Sequence, residues 1–99
     1  MVTKGIIVRL KAKSGQEETV AGFLRDAIPL VQQQPQTIAW FAVRIDASSF
    51  AIVDVFPDEA GRLAHLDGAV AAALEEKGLE LLAEPPLIET IDVIAAKLR

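Results

Sequence analysis

The sequence has no cysteine and no tyrosine, one histidine and one tryptophan, and no apolar run near the ~20 residues that a membrane-spanning helix needs. Without cysteine there can be no disulfide, no thiolate metal ligand and no cysteine nucleophile, and a reducing compartment, the cytoplasm, is the expected setting. A lone imidazole, His65, cannot supply the paired spacing that holds zinc, so no metal or other cofactor is expected. The 10 Lys and Arg residues are scattered against 14 Asp and Glu, for a net charge of -4, and the densest basic stretch is Lys11-Ala12-Lys13. No stripe exists to follow a phosphate backbone, which argues against nucleic acid as a partner. Met1-Val2-Thr3-Lys4-Gly5 leads straight into Ile6-Ile7-Val8 without the basic segment and apolar core of a signal peptide. Neither secretion nor a membrane partner is therefore expected.

What is abundant is apolar: 52% of the 99 residues are hydrophobic and 24% charged, the balance of a packed globule of one domain spanning residues 1–99. A chain this short buries only roughly 60 to 70% of its unfolded surface. An apolar surplus at this length points to a surface shared between subunits.

Ile6, Val8 and Leu10 alternate with Ile7, Arg9 and Lys11, which predicts a strand over Lys4 to Ala12 with one fully apolar face. Ser14 is placed to cap the following helix, with Glu17 completing a capping box. Val20, Phe23, Leu24, Ala27, Ile28 and Val31 recur at spacings of three and four and form that helix's apolar stripe. Pro29 interrupts the pattern and predicts a kink, and the helix should end before Pro35. Residues Thr37 to Ile45 and Phe50 to Phe56 read as antiparallel strands joined through Asp46-Ala47-Ser48-Ser49. Asp58 should cap a short helix through His65, and Asp67 another. Val70, Ala73, Leu74, Leu81 and Leu82 give a helical face that Gly78 is expected to break, and Pro85-Pro86 ends it. Leu87 to Leu98 reads as a last long strand.

This order predicts an α+β, ferredoxin-like βαββαβ domain with an antiparallel four-stranded sheet. In the strand from Thr37, Ala39, Phe41 and Val43 face one way and Ile38, Trp40 and Ala42 the other; in the next, Ala51, Val53 and Val55 oppose Ile52 and Phe56. Neither face shows the polar alternation of a sheet open to water. One set of helices covers one face, so a homodimer stacked sheet on sheet, a dimeric α/β barrel, is expected to cover the other.

Imidazole is the side chain type that titrates near neutral pH, which makes His65 the first candidate for a catalytic proton acceptor or donor; a histidine near the end of a short helix also commonly just packs or bonds a carbonyl. Arg9, Arg44 and Asp54 each place a charge inside an apolar strand. If register sets them beside Trp40 and Phe56, they line a site for a small planar ligand. The alternative is an ion-pair network or charge guarding a sheet edge.

From Thr37 through Trp40-Phe41, Arg44, Phe50, Asp54, Phe56, Gly61-Arg62 and His65-Leu66, then Leu81-Leu82-Ala83, Pro86, Ile88 and Asp92-Val93, the chain resembles the antibiotic biosynthesis monooxygenase family, also grouped as quinol monooxygenases. The resemblance implies a dimeric ferredoxin-like protein that oxidises a small aromatic, a quinol or polyketide-type phenol, with molecular oxygen and no cofactor. His65 would then be the base or anion stabiliser, and Arg9 or Arg44 would hold the phenolate. Phe56 stands where the haem-degrading branch of that family carries tryptophan, which argues against haem degradation, and the missing tyrosine removes a hydroxyl that some members use. The rival expectation is a dimeric ligand-binding or stress-response protein of the same fold without turnover.

Overall fold

In the computed structural model, which describes residues 1–98, the elements run β1 (Lys4–Lys11), α1 (Glu17–Asp26), α2 (Ile28–Gln32), β2 (Ala39–Arg44), β3 (Ser49–Phe56), α3 (Glu59–Leu66), α4 (Ala69–Leu81) and β4 (Leu87–Asp92). All strand pairs are antiparallel, in the order β2-β3-β1-β4. This is the ferredoxin-like α+β arrangement expected from the sequence.

Register decides which residues share a face, because directly opposed residues of an antiparallel pair point the same way. β1 runs against β3 from Lys4↔Phe56 to Lys11↔Ser49 and against β4 from Lys4↔Asp92 to Arg9↔Leu87. Ile6, Val8 and Leu10 therefore join Phe50, Ile52, Asp54 and Phe56 of β3, and Trp40 and Arg44 of β2, on the face that the helices cover. Val20 and Leu24 of α1 and Leu81 of α4 pack on this face, and Val31 of α2 and Val70 of α4 meet Trp40 in a second cluster. Each large apolar side chain withdrawn here contributes roughly 1.5 to 3 kcal/mol.

Local chemistry explains where the elements differ from expectation. Ser14 does not cap α1: Gly15 takes φ +88, a left-handed turn that delays the helix to Glu17. Half of the capping interaction survives as Gly15 N–H donating to Glu17 Oε1 at 2.9 Å. Pro29 does more than kink the helix. The chain interrupts at Ala27 and restarts as α2 with the proline in its first turn, which turns Ile28 outward. Gly78 does not break α4, which continues to Leu81, since a glycine mid-helix costs only about 1 kcal/mol and packing overrides it. Asp67 does not cap α4, which Gly68 precedes, but closes α3, its N–H donating to the Leu63 carbonyl at 3.0 Å; Asp58 caps the start of α3 by accepting from Gly61 N–H at 2.9 Å. β4 stops at Asp92, well short of Leu98; its ladder with β1 ends at Lys4↔Asp92, and one further bond, from Val93 N–H to the Thr3 carbonyl at 2.9 Å, follows it.

The other face of the sheet carries Ile7, Ala39, Phe41, Val43, Val53, Val55 and Leu87. Phe41 is 60% exposed and Val43 and Leu87 are also open. Arg9 lies on this face too and pairs with Glu89 at 3.1 Å.

Candidate functional site

α3 delivers His65 to the helix-covered face of the sheet, and two anchors seat that helix. Asp58 closes its amino end, and Arg62, itself buried, donates to the carbonyls of Gly5 at 3.3 Å and Ile91 at 3.1 Å while pairing with Glu59. The Arg62 hydrogen bond holds the Glu59 carboxyl below its ordinary range. With the helix fixed one turn later, the His65 ring packs on Phe56, the centroids 5.3 Å apart. Phe56 is fully buried.

Both ring nitrogens meet polar atoms. Nδ1 lies 2.6 Å from Gln34 Oε1, which also accepts from Thr37 Oγ1 at 2.9 Å. Gln34 comes this close because Gly68 leaves room: a Cβ there would sit 2.9 Å from the Gln34 amide nitrogen. Nε2 lies 2.9 Å from Asp54 Oδ2. Asp54 is 1% exposed and His65 8%, so this is a carboxylate and an imidazole facing each other out of water. The approach is close enough for charge pairing but out of hydrogen-bond alignment, and neither Asp54 oxygen receives an aligned donor among the described residues. A buried carboxylate in that state gains most from a proton or positive charge on the ring beside it.

His65 also borders a partly open pocket of about 290 Å³ between the sheet and α4, walled by Ile6, Val8, Ile52, Val70, Leu74 and Ile88. Its lining is aliphatic apart from His65 and Glu75. Trp40 and Arg44 do not reach it. They border a separate open groove of about 500 Å³ between β2 and α1, where Arg44 pairs with Glu18 at 3.0 Å and stacks over Phe50 at 4.9 Å. Trp40 Nε1 is buried there without a hydrogen-bond partner among the described residues.

The sequence-derived set thus divides. His65, Asp54 and Phe56 come together. Trp40 stands opposite Asp54 in the strand register but lines the groove, Arg44 lies further along that groove, and Arg9 is on the other face of the sheet. One lining that joins the whole set is therefore not formed: Trp40 and Arg44 share the groove with Phe50, apart from His65, Asp54 and Phe56. Gln34 and Glu75 were missed: Gln34 sits in a Gln32-Gln33-Gln34 run with nothing to mark which side chain turns inward, and Glu75 reads as one half of a solvated acidic pair. Among the described residues no group of His, Cys, Asp and Glu is arranged to hold a metal ion, and no helix is long and apolar enough to cross a membrane.

No family model and no curated protein matches the chain. Among solved structures, a protein of unknown function from Nitrosomonas europaea superposes with a TM-score of 0.98 at 47% identity, over 100% of this chain and 96% of that one. The chain belongs to that protein's family. Two candidate antibiotic biosynthesis monooxygenases, from Nitrosomonas europaea and Caulobacter crescentus, superpose with TM-scores of 0.82 and 0.81 at 15% and 14% identity. The first match covers 93% of this chain and 90% of the other, the second 95% and 92%. At that identity the likeness shows a common fold and leaves activity open.

Proposed function

We propose that this protein is a cofactor-independent monooxygenase that oxidises a small phenol or quinol in the cavity beside His65. The observation that carries the reading is an imidazole set on the wall of a largely apolar, partly open pocket with a buried carboxylate 2.9 Å from its Nε2. Such a pair accepts a hydroxyl proton and balances the resulting imidazolium, while the cavity keeps water from the phenolate. The phenolate passes an electron to oxygen; after radical recombination at the ring, a phenol with a free para position and one O₂ give the quinone and one water, and a quinol with a free ring carbon and one O₂ give the hydroxyquinone and one water. Only binding, proton removal and exclusion of solvent are asked of the protein. The fold shared with candidate monooxygenases supports the reading.

A second copy of the chain completes this proposal. The sheet face carrying Phe41, Val43 and Leu87 is apolar and open, and sheet-on-sheet stacking of two copies removes it from water. A stable monomer at micromolar concentration by sedimentation would discard the dimer. The lack of cysteine suits a cytoplasmic protein.

Oxygen uptake with a panel of naphthols and hydroquinones tests the activity, with quinone and water as products and His65→Ala expected to reduce turnover at least about a hundredfold. Full turnover in His65→Ala rejects the assigned chemistry. The rival, a binding protein without turnover, is favoured by one specific feature: both ring nitrogens of His65 already face protein partners. It predicts thermal stabilisation by the same phenols with no oxygen consumed.

A further inference from the structure

We infer that the cavity beside His65 admits its ligand only as an uncharged molecule of one or two rings, and that Glu75 enforces the rejection of anions. The inference rests on reading that cavity as the ligand site. Size sets the first limit. An apolar cavity of roughly 150 Å³ stays dry and takes up benzene, so about 290 Å³ suits a single or fused double ring.

Charge sets the second. Among the described residues no lysine or arginine lines the cavity. The arginines that an anionic ligand would need are engaged elsewhere: Arg44 with Glu18 in the groove, Arg9 with Glu89 on the opposite face, and Arg62 with Glu59 and two backbone carbonyls. When the His65 ring is protonated, its charge faces Asp54 rather than a newcomer. Glu75, exposed on α4 and part of the lining, then leaves the wall with an excess negative charge. A carboxylate or a preformed phenolate would shed its hydration here and meet a charge of its own sign. A neutral phenol loses little, and its proton is given up only after it is enclosed. His65 and Asp54 thus generate the anion inside a site that refuses it from solution.

Binding measured by calorimetry without reference to turnover tests this, using 2-naphthol, 6-hydroxy-2-naphthoate and the uncharged 6-hydroxy-2-naphthamide. The naphthol and the amide should bind alike, and the carboxylate at least about tenfold more weakly. Glu75→Gln should narrow that gap and Glu75→Lys should close or invert it, the gap being read within each variant as the ratio of amide to carboxylate affinity; position 75 is exposed, so its replacement leaves the fold intact. Equal binding of the carboxylate and the amide to the unaltered protein overturns the inference and leaves the oxidation proposal standing. A gap that survives Glu75→Lys overturns the role given to Glu75. If none of the three probes binds at millimolar concentration, the cavity is not the ligand site and both proposals fall.

Discussion

The cavity beside His65 and the groove beside Trp40 lie on one face of one sheet, yet their polar groups are held in opposite ways. In the cavity the charge-bearing pair is almost wholly buried, with Asp54 at 1% exposure. In the groove Arg44 and Glu18 meet as side chains that remain largely in water. The lesson is that a charged residue's importance to the fold follows from desolvation: at the same separation of about 3 Å, removing one partner is costly where the other is left buried and costs little where it lies in water.

The sharpest way to break this contrast is His65→Ala. It removes the ring packed on Phe56 and leaves the buried Asp54 carboxyl with nothing polar facing it, and should cost about 3 to 5 kcal/mol of unfolding free energy. The double change with Asp54→Asn should recover part of that loss. Urea unfolding checks both, and a double variant no more stable than the single one removes the coupling we assign to the pair. Gln34→Leu comes next. It withdraws the acceptor shared by the His65 ring and the Thr37 hydroxyl and should cost about 1 to 3 kcal/mol. Arg44→Ala should change stability by about 0 to 1 kcal/mol, and less at high salt, since its partner is exposed. A loss matching that of His65→Ala would erase the distinction between the two regions.

The smallest effect is expected in acid, at the Glu59 hydrogen bond that helps seat α3. Arg62 depresses the Glu59 carboxyl below its ordinary value of 4.5. The stabilisation is therefore complete above the unfolded-state value and is lost as pH falls through the lower folded one. Wild-type protein should lose more stability than Glu59→Gln between about pH 5 and pH 3. Parallel curves for the two would mean that this hydrogen bond does not report on folding.

Much of the scaffold was legible because it depends on short-range regularities. Alternation in β1 placed Ile6, Val8 and Leu10 inward, the spacing of Val20, Leu24, Ala27 and Val31 marked the helical layer, and Asp58 announced the start of α3. Where the reading failed, a neighbour outside the window decided. Gly78 looked like a stop until the packing of Leu81 and Leu82 carried α4 past it, and the apolar pattern through Leu98 looked like strand, whereas the ladder of β4 with β1 ends at Lys4↔Asp92.

The candidate site was legible in part, as residue types and not as an assembly. His65, Asp54 and Phe56 could be singled out because each is unusual in its local setting. That Arg9 would turn away from them, and that Arg44 and Trp40 would open onto a different concavity, depended on cross-strand register and on the position of α1, neither of which is written in any single segment.

By itself the sequence determined the kinds and order of the elements and the apolar character of both sheet faces, because period-two and period-3.6 apolar patterns act on the chain locally. Tertiary structure alone decided that Asp54 lies beside His65, that Gln34 turns in to meet the ring, and that no arginine among the described residues lines the cavity. Those outcomes join residues 11 to 31 positions apart through electrostatic and packing forces that act across space, and no local pattern encodes them.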